Sequence, residues 1–75
     1  LYNFNYQQVE RILLEEYNKR DKHMKAMICG PLSTVGTLKS IPVLKETYKR
    51  TRDSFLRWSI EVAINRIEIK EQSNR

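Results

Sequence analysis

Ten basic side chains lie between residues 19 and 57: Lys19, Arg20, Lys22, Lys25, Lys39, Lys45, Lys49, Arg50, Arg52 and Arg57. Only Asp21, Glu46 and Asp53 answer them there, and outside this window four bases face six acids. The net charge of +5 is therefore gathered in the middle of the chain. Cations clustered in this way can hold phosphate groups or an acidic protein surface, or can simply keep the chain in solution with the three acids as counterions. Lys45 and Lys49 sharpen the question, because a cation in the opening turns of a helix opposes the macrodipole at a cost of up to roughly 1 kcal/mol. We expect Lys19, Arg20, Lys22, Lys25, Lys45, Lys49, Arg50 and Arg52 to form a basic end that meets nucleic acid or an acidic partner.

Other residue types that could do chemistry fail on spacing. Gly30 and Gly36 suggest a phosphate-binding loop, but Thr37 stands where such a loop needs lysine. His23 and Cys29 are alone of their kinds, with no third group to orient a thiol nucleophile and no ligand set for a metal. Glu10, Glu15, Glu16 and Glu61 could pair across helices, yet the Glu-x-x-His pattern of carboxylate metal bundles is missing. Tyr17, Tyr48, Phe55 and Trp58 could stack on bases. They fall on helical apolar stripes, however, and are expected in the core. The expectation is a protein that is not an enzyme, with no cofactor, no metal and no small-molecule substrate.

The elements that must position these residues are helical. Tyr6, Val9, Leu13, Tyr17, Met24 and Met27 recur at steps of three, four and seven, which predicts one helix over about 5–28. Asn3 or Asn5 is placed to cap it, and Phe4 to staple it. Gly30 and Pro31 should stop it, leaving a loop over 29–41. Ser40 and Pro42 suit the start of a second helix running to about 71. That second helix carries two apolar stripes: Phe55, Trp58, Val62 and Ile69 on one side, and Leu56, Ile60, Ala63, Ile64 and Ile67 on the other. Two such faces need two neighbours.

A chain of 75 residues buries only about 60% of its unfolded surface as a monomer. With one cysteine it has no internal disulfide to help. The expected fold is one all-α domain over 1–75, an antiparallel helical hairpin. Two copies would pair through Leu56, Ile60, Ala63, Ile64 and Ile67 into a homodimeric four-helix bundle. No basic start and apolar run marks residues 1–15 as a signal peptide, and no stretch is apolar enough to span a membrane, so a cytoplasmic location is expected.

The segments QQVERILLEEYNKR and YKRTRDSFLRWSIEVAINRIE, with a Pro/Gly/Ser/Thr-containing loop between them, resemble the N-terminal helical region of ArpU/RinA-like late transcriptional regulators of Gram-positive phages. The resemblance covers most of the chain. It implies a role in phage gene expression, although the helix-turn-helix such regulators usually carry is absent.

Overall fold

The computed structural model describes residues 5–73. It contains four helices, α1 (Tyr6–Lys19), α2 (Lys22–Val35), α3 (Ser40–Arg50) and α4 (Ser54–Ser73), and no strand among the described residues. The all-α expectation holds. The division into two long helices does not, because an aspartate interrupts each of them.

Asp21 turns its carboxylate onto the Met24 N–H at 3.1 Å and so starts α2, while Arg20 is extended behind it. Asp53 does the same at the head of α4, accepting from the Leu56 N–H at 2.9 Å, after Thr51 has ended α3 in an extended conformation. Both are N-caps in mid-pattern, where a short acceptor competes with the helix for its backbone donors. Asn5 caps α1 through the Gln8 N–H, as expected; Asn3 and Phe4 lie outside the described residues.

The expected stop at Gly30–Pro31 is also overturned, since α2 continues through both to Val35. Inside a helix a proline loses one hydrogen bond and crowds the carbonyl four residues back, here that of Met27. Gly30, without a Cβ, removes part of the further clash with the preceding residue. Ile28, Cys29, Leu32 and Ser33, all buried, hold the segment in place. The chain leaves α2 at Gly36, where a Cβ would strike the Leu32 carbonyl oxygen and sit 2.9 Å from Ile67 Cδ1, so the close approach at this turn requires glycine. Ser40 is the first residue of α3 rather than its cap; Lys39 precedes it without a capping side chain.

The directions of the helices follow from bonds between them. Lys22 Nζ meets Asp53 Oδ2 at 3.5 Å at one end, and Lys70 Nζ reaches the Thr34 and Gly36 carbonyls at 2.8 and 2.6 Å at the other, so α2 and α4 run side by side in the same direction. Glu10 lies against Thr37 and Ser40, and the Tyr48 hydroxyl donates to Glu61 at 2.6 Å. Helix α1 therefore packs on α2 and α3, and α3 on α4. Four helices come from one chain. The Cα extents of 41 × 25 × 16 Å fit a slab two helices thick.

The broadest contact in the slab is between α2 and α4. Small residues, Ala26, Cys29 and Ser33 on α2 and Ser59 and Ala63 on α4, are buried on these two helices and allow the backbones to approach closely. Tyr17, Leu32, Leu44, Leu56, Ile60 and Ile67 fill the centre, each fully enclosed. The stripe expected to face a second copy is thus largely inside the chain. Leu56, Ile60, Ala63 and Ile67 are buried, and Ile64 is half-buried against the core. Breaking the two long helices into four provides the cover that sequence periodicity assigned to a partner.

Among the described residues, the Tyr17 hydroxyl is the buried side-chain polar group without a hydrogen-bond partner. It is fully enclosed and makes no hydrogen bond of acceptable geometry; the nearby Thr47 hydroxyl, which donates to the Val43 carbonyl, lowers its pKa by less than burial raises it. Burial pushes its ionisation up to about 12. An unsatisfied buried hydroxyl costs about 1–3 kcal/mol. Tyr17→Phe should therefore leave stability to urea unchanged or raise it by up to about 2 kcal/mol. A clear loss of stability would show that the hydroxyl is bound.

Candidate interaction surfaces

The eight basic residues expected to act together are dispersed by the fold. Arg20 pairs with Glu16 at 2.9 Å, Arg50 with Glu46 at 3.0 Å, and Lys22 with Asp53. Lys25 turns inward: its ammonium donates to the Tyr17 and Arg20 carbonyls at 2.5 and 2.8 Å and lies 4.8 Å from the centre of the Tyr17 ring. Lys22, Lys25 and Arg50 do share an open cleft of about 600 Å³, but Glu46 lines it too. Lys45 and Lys49 line a second cleft of about 420 Å³ together with Glu61 and Glu68. Lys19 and Arg52 are exposed elsewhere.

Three basic side chains instead close helix ends. The last carbonyls of a helix carry partial negative charge and lack donors. Lys25 covers those of α1, and Lys70 those of α2. Arg57 covers those of α3, donating from Nε to the Thr51 carbonyl at 3.0 Å with its guanidinium 4.7 Å from the Tyr48 ring centre. The complementary device serves the start of α3. Glu10, only 3% exposed, accepts from the Thr37 N–H at 2.8 Å, the Thr37 hydroxyl at 3.0 Å and the Ser40 hydroxyl at 2.5 Å. Burial pushes its pKa up, but these donors and the Lys39 charge outweigh that and hold it below the ordinary 4.5.

The remaining chemical candidates stand apart. Cys29 is buried in the core, which raises its thiol to about 11 and keeps it protonated. His23 is on the surface. Among the described residues no three His, Cys, Asp or Glu side chains come together as metal ligands, and no helix is long and apolar enough to cross a membrane.

What the fold leaves open is the other stripe of α4. Phe55 and Trp58, expected in the core, are 59% and 58% exposed, and their rings stack with centroids 6.0 Å apart. Ile69 is 55% exposed and Val62 half-buried. At about 100° per residue, these four lie beyond the edge of α4 whose Lys70 bonds to α2, on the side away from α3. Met27 of α2, 63% exposed, occupies the matching position beyond the edge whose Lys22 bonds to α4. Because the two helices are parallel neighbours, both open sides look the same way. They make one broad face of the slab.

That face is poor in charge for a chain that is 31% charged, although Arg66 is exposed on it, between Val62 and Ile69 on the side of α4 toward α2. From His23 onward, the exposed positions of α2 are His23, Met24, Met27, Gly30, Pro31 and Thr34, and none is acidic or lysine or arginine. On α4 the line Phe55, Trp58, Val62, Asn65 and Ile69 is likewise uncharged. Periodicity sets Met24 and Met27 on one apolar stripe with Leu13 and Tyr17. The turn at Arg20–Asp21 breaks that continuity and swings them outward. The absence of charge along α2 was the signal that could have found them. No known protein family matches the chain, and no significant similarity to a characterised protein or a solved structure was found.

Proposed function

We propose that this chain is a non-enzymatic protein-interaction module that docks through the outer face of α2 and α4. The observation that carries this reading is the stacked, solvent-exposed Phe55–Trp58 pair, continuous with Met27 and Ile69 on a largely apolar face. Aromatic residues and methionine are enriched, and charges depleted, at the centre of protein interfaces, and buried tryptophans there dominate binding energy. A chain this small gains nothing in stability from leaving such side chains in water. Their exposure is explained by a contact made outside the chain.

A second reading keeps the basic residues as contacts. Lys45, Lys49 and Arg52 form no ion pair among the described residues, and such cations could meet nucleic acid in a transcription-regulating role of the kind the phage-regulator resemblance implies. The glutamates beside Lys45 and Lys49 make it the weaker one.

Two double variants separate the readings. Phe55→Ser/Trp58→Ser should keep the helical circular dichroism and lose capture of a protein partner, at low and at high salt alike. Lys49→Glu/Arg52→Glu should leave that capture intact. Affinity for a labelled DNA duplex that falls steeply with added salt and disappears only in Lys49→Glu/Arg52→Glu would reverse the assignment.

A further inference from the structure

We propose that the occupant of the α2/α4 face is an acidic amphipathic segment of another protein, which lays apolar side chains on Phe55, Trp58 and Met27 and a carboxylate on Arg66. This inference rests on the interaction reading above and names the chemistry of the partner.

Arg66 selects it. At about 100° per residue, Arg66 stands about 20° round α4 from Phe55 and about 40° from Lys70, on the side toward α2. It is exposed and forms no ion pair among the described residues. The acids nearest the face are placed elsewhere. Asp53 caps α4 and pairs with Lys22, while Glu61 and Glu68 lie on the α3 side of the helix, in one cleft with Lys45 and Lys49. A partner that reaches from Trp58 to Ile69 therefore covers an uncompensated guanidinium on the way. Taking that charge out of water without an acceptor is costly, and a carboxylate is the group that meets it best. Lys70, whose ammonium is bonded to carbonyls and not to an acid, adds a second positive charge about one turn further on. The chain as a whole carries +5, which draws an acidic partner in.

The shape of the face agrees. Lys70 bonds to the Thr34 carbonyl, so Arg66, one turn earlier on α4, is level with Gly30, one turn earlier on α2. A Cβ on Gly30 would meet nothing within 4 Å, which leaves an open shelf on α2 beside the guanidinium. From Trp58 to Arg66 the rise is about 12 Å, a little over two helical turns. A helical segment with apolar anchors and, two turns on, Asp or Glu matches this spacing. A single strand of nucleic acid matches it less closely, because such strands lie in a continuous positive groove, and here apolar Met27, Val62 and Ile69 surround the aromatic pair.

The experiment selects from a displayed library of random peptides, about four helical turns long, on wild type, Arg66→Glu, Arg66→Gln and Phe55→Ser/Trp58→Ser, each verified as folded by circular dichroism. Selection is made at physiological salt, where diffuse attraction to the +5 charge is screened. Wild type should enrich sequences that combine Leu, Phe or Trp with Asp or Glu. Arg66→Glu should exchange those acids for Lys or Arg and weaken the best wild-type peptide about 10- to 100-fold, measured by anisotropy of the labelled peptide. Arg66→Gln should weaken it in the same direction, and Phe55→Ser/Trp58→Ser should enrich nothing.

Peptides that need Phe55 and Trp58 but carry no acid, or that bind both Arg66 variants as tightly as wild type, overturn the acidic partner and leave the interaction reading standing. A wild type that enriches no peptide dependent on Phe55 and Trp58 overturns both. So does a labelled oligothymidine that binds more tightly than any peptide and is lost in Phe55→Ser/Trp58→Ser, since the face would then serve nucleic acid.

Discussion

Ile60→Glu should unfold the chain outright, not convert an oligomer into a folded monomer. Ile60 is fully enclosed among the core residues of the slab. Replacing it removes a packed aliphatic side chain, a change that by itself costs about 2–5 kcal/mol, and adds a carboxyl with no partner. A 75-residue domain holds only about 4–11 kcal/mol in total. Trp58→Glu, on the other stripe of the same helix, loses the Phe55 stack and little else, so in dilute solution it should change stability by no more than about 1 kcal/mol. Far-ultraviolet circular dichroism with urea titration of both variants checks the pair. If Ile60→Glu remained cooperatively folded while Trp58→Glu melted, the inner and outer stripes of α4 would have been assigned the wrong way round.

That contrast marks what the sequence makes legible and what it does not. The helical class, the Asn5 cap and the two stripes of α4 are all visible, because a period of 3.6 survives whatever the helix packs against. Which stripe faces inward is not a local property. It depends on where the other helices lie, and that depends on two turns that periodicity runs straight across. Asp21 and Asp53 each stand before a run of helix-forming residues, as an N-cap should, but the apolar spacing on either side happens to stay in step. Gly30–Pro31 misleads in the opposite sense: as a pair it reads as a stop, yet α2 runs through it, held by the burial of Ile28, Cys29, Leu32 and Ser33 on either side. Part of the basic charge is hidden for the same reason. Lys25, Lys70 and Arg57 cover carbonyl ends of helices other than their own, and a cation's use as a cap cannot be seen until the end it covers has been located. Beside them the fold leaves open a largely apolar face centred on Phe55 and Trp58.

Glu10 should dominate the acid sensitivity of the fold. Its carboxylate ties the middle of α1 to the turn before α3, and Glu10→Ala would leave the Thr37 N–H and the Ser40 hydroxyl without an acceptor in a nearly closed site. Stranding buried donors of this kind costs about 1–3 kcal/mol each, so a loss of roughly 3–5 kcal/mol is expected from urea unfolding near neutral pH. The sign of the pH dependence follows from the lowered pKa. The native state binds the ionised form better than the unfolded chain does, so the contribution is complete above the ordinary carboxylate value of 4.5 and is lost as pH falls through the lower native value. Glu16 and Asp53 are also lowered, by Arg20 and by the Leu56 N–H respectively, so part of the acid limb belongs to them. Glu10→Gln isolates the rest. Its amide keeps one acceptor and turns a donor toward Thr37 or Ser40, much as protonated Glu10 does, so the stability gap between wild type and Glu10→Gln should be widest near neutrality and close as pH falls through the native Glu10 value. A gap that stayed constant with pH would mean that Glu10 contributes packing alone, and that its charge has no part in holding α1 to α3.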